Sequence, residues 1–226
     1  VLAVHVFGPH IPPQESAGAT AWAQQRGLPL HTARFDPLAL PEVDTNSPQR
    51  CYGCKTGLVN LLRAELAAMT GQGQGRVLCD GTNADDLLAY RPGLRALEEG
   101  RVRSPLAEAG LSKAAIREAA RATGLDRPEQ RARPCLLTRM AYGMRPDAAT
   151  LARLAAAEEE LAAAGPLGDF RLRLTPEPVL QAENLPDTLR QQVQGILQSH
   201  GFWPCKMEIG GSISGFYDAG GAGRKA

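Results

Sequence analysis

The sequence has no strong excess of charge, few aromatic residues and no apolar run of membrane-spanning length. Its 226 residues carry 25 basic and 24 acidic side chains, and aromatic residues make up 5%. A near-neutral balance argues against nucleic acid or an anionic membrane as a partner, and a bilayer span needs about 20 consecutive apolar residues. The apolar residues 1–7 lack the basic leader of a secretory signal. We therefore expect a cytoplasmic protein.

The five cysteines argue against a disulfide framework. An odd count in a chain of this size favours reduced thiols, some of them ligands or nucleophiles. Cys51 and Cys54 are separated by two residues, and Cys135 follows Pro134 far downstream. A Cys-x-x-Cys pair alone fits a redox pair, half a zinc site or part of an iron-sulfur site, so the rest of the chain must discriminate.

Alternating strand and helix patterns fill the first half of the chain. Residues 1–7 are typical of a strand buried on both faces of a parallel sheet, residues 15–25 of a helix ended by Gly27, and residues 28–35 of a second strand. A helix over about 54–69 would place the cysteine pair at its N-terminus, where backbone amides and neighbouring basic residues favour a thiolate.

Residues 77–79 read as a central strand that ends in a polar loop, with Cys79 as a small core residue. Ligands of open α/β sheets bind at the carboxyl ends of strands. A turn rich in Asp and Asn is the alternative, because these are ordinary turn residues. The loop residues are Asp80, Thr82, Asn83, Asp85 and Asp86. Residues 71–75 are interpreted as a helix-to-strand linker because they precede a strand, and residues 90–111 as a loop.

A helix over 112–123, with Ser112 as its N-cap, continues the alternation. The pattern predicts an α/β, Rossmann-like domain over residues 1–143. A change of composition then marks a small α+β subdomain over 144–218, followed by a flexible tail over 219–226.

The predicted subdomain begins with a helix from Asp147, its N-cap, to Ala164. Glu158 falls on the apolar stripe of this helix, which is costly unless it meets a partner. A strand over 170–174 would place Arg171 and Arg173 on one face, where an anion would relieve their repulsion; a solvated face is the alternative. A helix over 186–199 and a strand over 202–209 follow.

Several blocks occur in the order and approximate spacing of the LarE family of ATP-dependent sacrificial sulfur transferases, which belong to the PP-loop ATP pyrophosphatases. The resemblance runs from about residue 1 to 211. Its blocks are Asn46-Ser47-Pro48-Gln49-Arg50-Cys51-Tyr52-Gly53-Cys54-Lys55, the loop over 80–86, Tyr90-Arg91-Pro92-Gly93, Ser104-Pro105-Leu106, Ser112-Lys113-x-x-Ile116-Arg117 and Pro134-Cys135-Leu136-Leu137-Thr138-Arg139-Met140-Ala141-Tyr142-Gly143.

The resemblance implies an adenine nucleotide alpha hydrolase-like fold and an enzyme that activates a carboxylate of a pyridinium mononucleotide with ATP and Mg²⁺. Pyrophosphate and AMP leave, and a thiocarboxylate forms for a nickel-pincer cofactor. Family members with three such cysteines are similar to cluster-dependent enzymes, so Cys51, Cys54 and Cys135 would hold a 4Fe-4S cluster. Zinc, or unligated thiols with an active Cys135, stays open. The family implies a homo-oligomer.

The resemblance also implies roles for individual residues. Cys135 and Glu158 would be catalytic, and Arg171 and Arg173 would bind a substrate phosphate. The residues beside the nucleotide would be Asp80, Thr82, Asn83, Asp86 and Arg91.

The sequence departs from the family in three places. The Ser-Gly-Gly-x-Asp-Ser phosphate loop, which would precede Val1, is absent, and we expect a truncated chain that lacks the first strand of the sheet. The family pattern is blurred over 175–183, and Ile213 replaces a usual arginine. Alternative hypotheses are a PP-loop tRNA thiolase, which the near-neutral charge disfavours, and a degenerate, non-catalytic metal-binding homologue.

Overall fold

The computed structural model describes residues 1–70, 76–88, 91–131, 133–211, 213 and 217. The chain divides into two compact units. The first comprises Val1–Ala39, Asp44–Pro48 and Pro134–Ala226, and the second comprises Leu40–Val43 and Gln49–Arg133. The boundary that we expect after residue 143 stays a prediction, because compactness alone does not test which segments fold by themselves.

The described residues form a mixed α/β structure. The helices are α1 (Pro13–Gln25), α2 (Pro41–Asp44), α3 (Arg50–Thr70), α4 (Pro92–Glu99), α5 (Pro105–Glu108), α6 (Lys113–Ala122), α7 (Ala148–Ala164) and α8 (Arg190–Ser199). The strands are β1 (Ala3–Phe7), β2 (Leu30–Arg34), β3 (Phe170–Arg173), β4 (Val179–Ala182) and β5 (Lys206–Ile209). Short 3-10 helices span Ala84–Leu88, Leu136–Arg139 and Asp187–Leu189. The α/β class is confirmed, whereas a Rossmann-like sheet stays a prediction.

The first unit begins with the predicted strand, helix and strand. β1 and β2 pair in parallel, with Ala3 opposite Leu30 and Phe7 opposite Arg34. α1 ends before Gly27, whose φ of 63° is in the left-handed region that glycine adopts readily. Burial on both faces of β1 is wrong, because Phe7 is 38% exposed.

The rest of the first unit is a second sheet with two helices. β3 pairs antiparallel with β4, and β4 pairs in parallel with β5; the sequence did not predict β4. α7 begins where its cap predicts, since Asp147 Oδ1 accepts a hydrogen bond from Thr150 N–H at 2.8 Å. α7 packs against α8, and the fully buried Leu151, Leu154 and Leu161 lie on α7.

The second unit is built on the contact between α3 and α4. A loop over 90–111 is a wrong prediction for its described part, because α4 and α5 form there. Proline at the first position starts each helix, and α4 buries Gly93, Ala96 and Leu97. With eight and four residues, these helices are too short to detect by periodicity.

The predicted central strand over 77–79 is also wrong. Cys79 forms only an isolated parallel bridge with Arg103, Val77 is 63% exposed, and Cys79 is exposed rather than part of the core. The linker predicted at 71–75 and the tail at 219–226 lie outside the described residues. Within the described ranges, no helix is long and apolar enough to cross a membrane.

Candidate functional site

Cys135 lies at the start of an anchored turn in the first unit. Its carbonyl oxygen accepts hydrogen bonds from the N–H of Thr138 at 3.1 Å and from the hydroxyl of Thr138 at 2.8 Å. The next residue, Leu136, is 1% exposed, and its N–H donates to the carbonyl oxygen of His10 at 2.9 Å. The half-buried Cys135 therefore sits on a backbone that is held from both sides.

Glu158 meets the partner that its position on the apolar stripe requires. Arg139 donates from Nε to Oε1 at 3.0 Å and from Nη2 to Oε2 at 2.8 Å, and the two side chains are 6% and 13% exposed. Arg139 Nη1 also donates to the carbonyl of Pro134 at 2.9 Å and to Thr138 Oγ1 at 3.1 Å. One guanidinium thus connects Glu158 of α7 with the Cys135 turn.

Arg171 and Arg173 lie on β3 and are buried, with 9% and 4% of their surface exposed. A solvated strand face is therefore wrong. Arg171 donates to the carboxylate of Asp169. The acceptors of Arg173 include the carbonyl of Thr138 at 2.8 Å, the side-chain oxygen of Gln181 at 3.2 Å and the carbonyl of Ile213.

The arginine cluster, formed by Arg139, Arg171 and Arg173, holds positive charge in a buried place. Burial is the main cause that lowers the pKa of Arg173 to about 10, and repulsion by Arg139 and then Arg171 adds to it. Glu158 opposes this shift. Because Arg173 still carries its charge near neutral pH, a bound anion would lower the electrostatic cost of the cluster.

In the second unit, Cys51 and Cys54 lie in the first turn of α3 and are both half-buried. The sequence predicts the pair at the N-terminus of this helix, and because residues three apart on a helix are neighbours, the two thiols share one face. α4 approaches closely here, because a Cβ on Gly93 would lie 2.5 Å from Lys55 Cδ and 3.3 Å from the Cys51 carbonyl oxygen.

The polar loop after Cys79 is ordered by its own side chains. Asp80 accepts from the hydroxyls of Thr82 at 2.6 Å and Ser104 at 2.7 Å. Asp86 accepts from the N–H of Asn83 at 3.2 Å and pairs with Arg91 at 2.8 Å. The loop therefore contains the turn that the sequence offered as the alternative, and it brings the five predicted nucleotide-binding residues into two hydrogen-bonded groups.

The structure adds residues to the predicted set. Arg139 and Ser104 lie in motifs that carry the resemblance, so those motifs could have indicated them, whereas no local signal marks Gln181. None of the five cysteines forms a disulfide. Among the described residues, no group of three or more His, Cys, Asp or Glu side chains is arranged to hold a metal ion. Because Cys135 and the Cys51–Cys54 pair belong to different units, a shared metal site stays a prediction.

Comparison with models of known protein families gives no match. The chain is 33% identical over 223 residues to the uncharacterized protein slr1717 of Synechocystis sp., which covers 95% of this chain and 81% of that protein. It is also 33% identical over 141 residues to the uncharacterized protein MJ0830 of Methanocaldococcus jannaschii, covering 62% of this chain and 52% of that protein.

A third relative has a described activity. The pyridinium-3,5-bisthiocarboxylic acid mononucleotide synthase of Lactiplantibacillus plantarum is 28% identical over 209 residues, which are 89% of this chain and 73% of the synthase. By its identity to slr1717 over most of both chains, with this synthase as a more distant homologue, the chain belongs to the LarE-like family.

Proposed function

We propose that the protein is a sulfur transferase that converts a carboxylate of a pyridinium mononucleotide into a thiocarboxylate, as a step in nickel-pincer cofactor synthesis. The homologous synthase supports this substrate class. The observation that carries the proposal is the connection, through Arg139, between the Cys135 turn and the half-buried Glu158, whose charge acts on Arg173. The Cys135 thiol and the arginine cluster are thus parts of one unit.

ATP would supply the activation. A carboxylate oxygen of the substrate attacks the α-phosphorus of ATP, and pyrophosphate leaves. Sulfur then attacks the acyl carbon, so that a C–S bond forms, the C–O bond to AMP breaks and AMP leaves. The bond between this sulfur and its donor would then break, which releases the thiocarboxylate. Mg²⁺ would neutralise phosphate charge. In this proposal Arg171 and Arg173 bind the substrate phosphate, and the loop of Asp80, Thr82, Asn83, Asp86 and Arg91 lies beside the nucleotide in a Rossmann-like fold.

The cysteines fit an iron-sulfur cofactor in their chemistry. Three thiols can hold a 4Fe-4S cluster with one iron open, and Cys51 and Cys54 are neighbours on α3 that take part in no disulfide. We propose that they and Cys135 hold such a cluster. When bound, the cluster would supply a sulfur nucleophile near neutral pH. The homo-oligomer and the cytoplasmic location stay predictions.

The test combines metal analysis with product detection on the full-length gene product. Protein purified without oxygen is assayed for iron, sulfide and zinc, and then for thiocarboxylate and pyrophosphate with ATP and the pyridinium carboxylate mononucleotide. Cys51→Ser and Cys135→Ser should lose iron and product. Cys205→Ser is the matched control, because burial is the main cause that raises the pKa of this thiol to about 11.

Each outcome separates the hypotheses. Iron-free protein that contains zinc rejects the cluster and favours the zinc site, whereas metal-free protein that still makes thiocarboxylate favours Cys135 as the active thiol. Iron binding without any thiocarboxylate or pyrophosphate rejects the enzyme and favours a metal-binding homologue. Product formation that Cys135→Ser leaves unchanged rejects the role of Cys135.

A further inference from the structure

We propose that Arg139 is a positioning residue for the Cys135 sulfur, and that Glu158 is its structural partner rather than a catalytic acid or base. This proposal deepens the proposed function. It rests on that function only in the assumption that Cys135 is a reacting residue.

The first step concerns where the donors of Arg139 go. Nη1 donates to the carbonyl of Pro134 at 2.9 Å and to Thr138 Oγ1 at 3.1 Å, and Thr138 in turn donates to the carbonyl of Cys135. The guanidinium therefore contacts the backbone just before Cys135 and the side chain that closes the turn after it. Because its planar geometry is fixed, these contacts define the conformation of the turn.

The second step concerns the carboxylate. Glu158 Oε1 accepts from Arg139 Nε at 3.0 Å and from the N–H of Leu172 at 2.9 Å, while Oε2 accepts from Arg139 Nη2 at 2.8 Å. Both oxygens are thus engaged by groups of the protein. A general acid or base must reach the proton that it moves, and these contacts instead suit a side chain that orients another.

The third step is the rigidity of the anchor. Glu158 lies on α7 between Leu154 and Leu161, which are both fully buried, and Leu172 belongs to β3. The bidentate pair therefore transmits the fixed position of α7 and β3 to the Cys135 turn. A buried pair of this kind depends strongly on both partners, because removing one leaves the other charge buried without compensation.

Two measurements that do not need enzyme activity test this role. Hydrogen exchange of the peptide 134–140 reports the turn, and mass spectrometry reports the rate at which iodoacetamide alkylates Cys135. In Arg139→Lys and Arg139→Gln, exchange in 134–140 should rise about tenfold or more, since each lost bond involves a charged group, and Cys135 should react faster. The exposed Cys79 serves as the internal reference.

Arg145→Gln is the matched control, because this arginine pairs with Asp44 but its side chain is 78% exposed. In this variant, exchange of the peptide 134–140 and alkylation of Cys135 should equal those of the wild type. Unchanged exchange in both Arg139 variants would overturn the proposal. So would faster exchange that is equally large in the α8 peptide 190–199, because this would show a general loss of stability. If Arg139→Gln does not fold, Arg139→Lys alone decides.

Glu158→Gln separates the two roles of the carboxylate. If the enzyme is active, a positioning residue predicts a lower kcat with an unchanged shape of the pH-rate profile and faster exchange in 134–140. If Glu158→Gln instead loses one limb of the pH-rate profile while exchange in 134–140 stays as in the wild type, Glu158 acts as an acid or base. That result would overturn its assignment as a structural partner of Arg139. If no sulfur transfer is found at all, the proposed function fails, while exchange and alkylation still decide the positioning role.

Discussion

His10 offers a quantitative test of how the region behind the Cys135 turn is built. Its side chain is 6% exposed, and its Nδ1 has no hydrogen-bond partner among the described residues. Its ring packs edge-on against Phe35 at a centroid distance of 5.9 Å. Burial lowers the pKa of His10 from 6.5 to about 4, although the charge of Asp36 opposes this shift.

The sign of the pH effect follows from which state binds the proton first. Histidine in the unfolded chain titrates near 6.5, whereas native His10 stays neutral until about pH 4. Stability is therefore complete above pH 6.5 and is lost as pH falls toward 4. A difference of 2.5 between these two pKa values corresponds to about 3.5 kcal/mol in total at about 1.4 kcal/mol for each pH unit, most of it between pH 6.5 and 4.

The variant His10→Phe should remove this pH dependence. At pH 7 we expect its free energy of unfolding to stay within about 1.5 kcal/mol of the wild type, because an aromatic ring of similar volume replaces the imidazole. Between pH 6.5 and 4, the wild type should lose about 3 kcal/mol relative to the variant. Carboxylates titrate in both proteins, so the difference between the two curves isolates His10.

Urea unfolding at several pH values measures this difference. The fluorescence of Trp22 and Trp203 is a suitable signal, because both residues belong to the same unit as His10. His31→Phe is the control, since it replaces a histidine that is only half-buried. Parallel stability curves for the wild type and His10→Phe would refute the reasoning, because they would show that the native imidazole takes up its proton as readily as an unfolded one.

Three further changes test the packing of the first unit by urea unfolding. Leu154→Ala should lower the free energy of unfolding by about 3 kcal/mol because it leaves a cavity at a fully buried position, and a loss below about 1 kcal/mol would contradict this core. Gly8→Ala should cost about 2 kcal/mol or more, since its Cβ would lie 1.9 Å from the backbone oxygen of Phe35. Gly18→Ala on α1, with nothing within 4 Å, should instead be neutral or stabilising by up to about 1 kcal/mol; equal effects would disprove the close approach. Asp147→Ala should cost about 1 kcal/mol through loss of the α7 cap, and Asp147→Asn should retain most of it; equal losses in the two would argue against capping.

The elements that the sequence predicts well are those with local signals at both ends. α7 has a capping aspartate at one end and a glycine at the other. β1 is an apolar run that precedes Gly8, and β2 lies between Gly27 and Asp36-Pro37. These signals act within a few residues, so they survive in any tertiary context. The cap at Ser112 is confirmed for the same reason, since its hydroxyl accepts from the N–H of Ala115.

The failures are elements whose identity depends on distant residues. Residues 77–79 have strand-forming side chains, but pairing at Cys79 is limited to the bridge with Arg103, and strand propensity reflects the partners available. β4 was missed although all four of its residues are buried, because a run of four with glutamine in the middle has no clear alternation. α4 and α5 are too short for periodicity to separate them from loops.

The candidate site shows the same division between local and distant information. Periodicity alone places Glu158 on an apolar stripe and predicts that its carboxylate needs a partner. It does not say whether that partner is Arg139, Arg171 or Arg173. Only the fold selects Arg139, because the 3-10 turn and α7 bring a planar guanidinium against the carboxylate with two parallel hydrogen bonds. Burial, together with repulsion by Arg139 and Arg171, lowers the pKa of Arg173, whereas Arg171 pairs with Asp169. These different surroundings of Arg171 and Arg173 need the structure, because the alternation of strand side chains alone does not distinguish the two arginines.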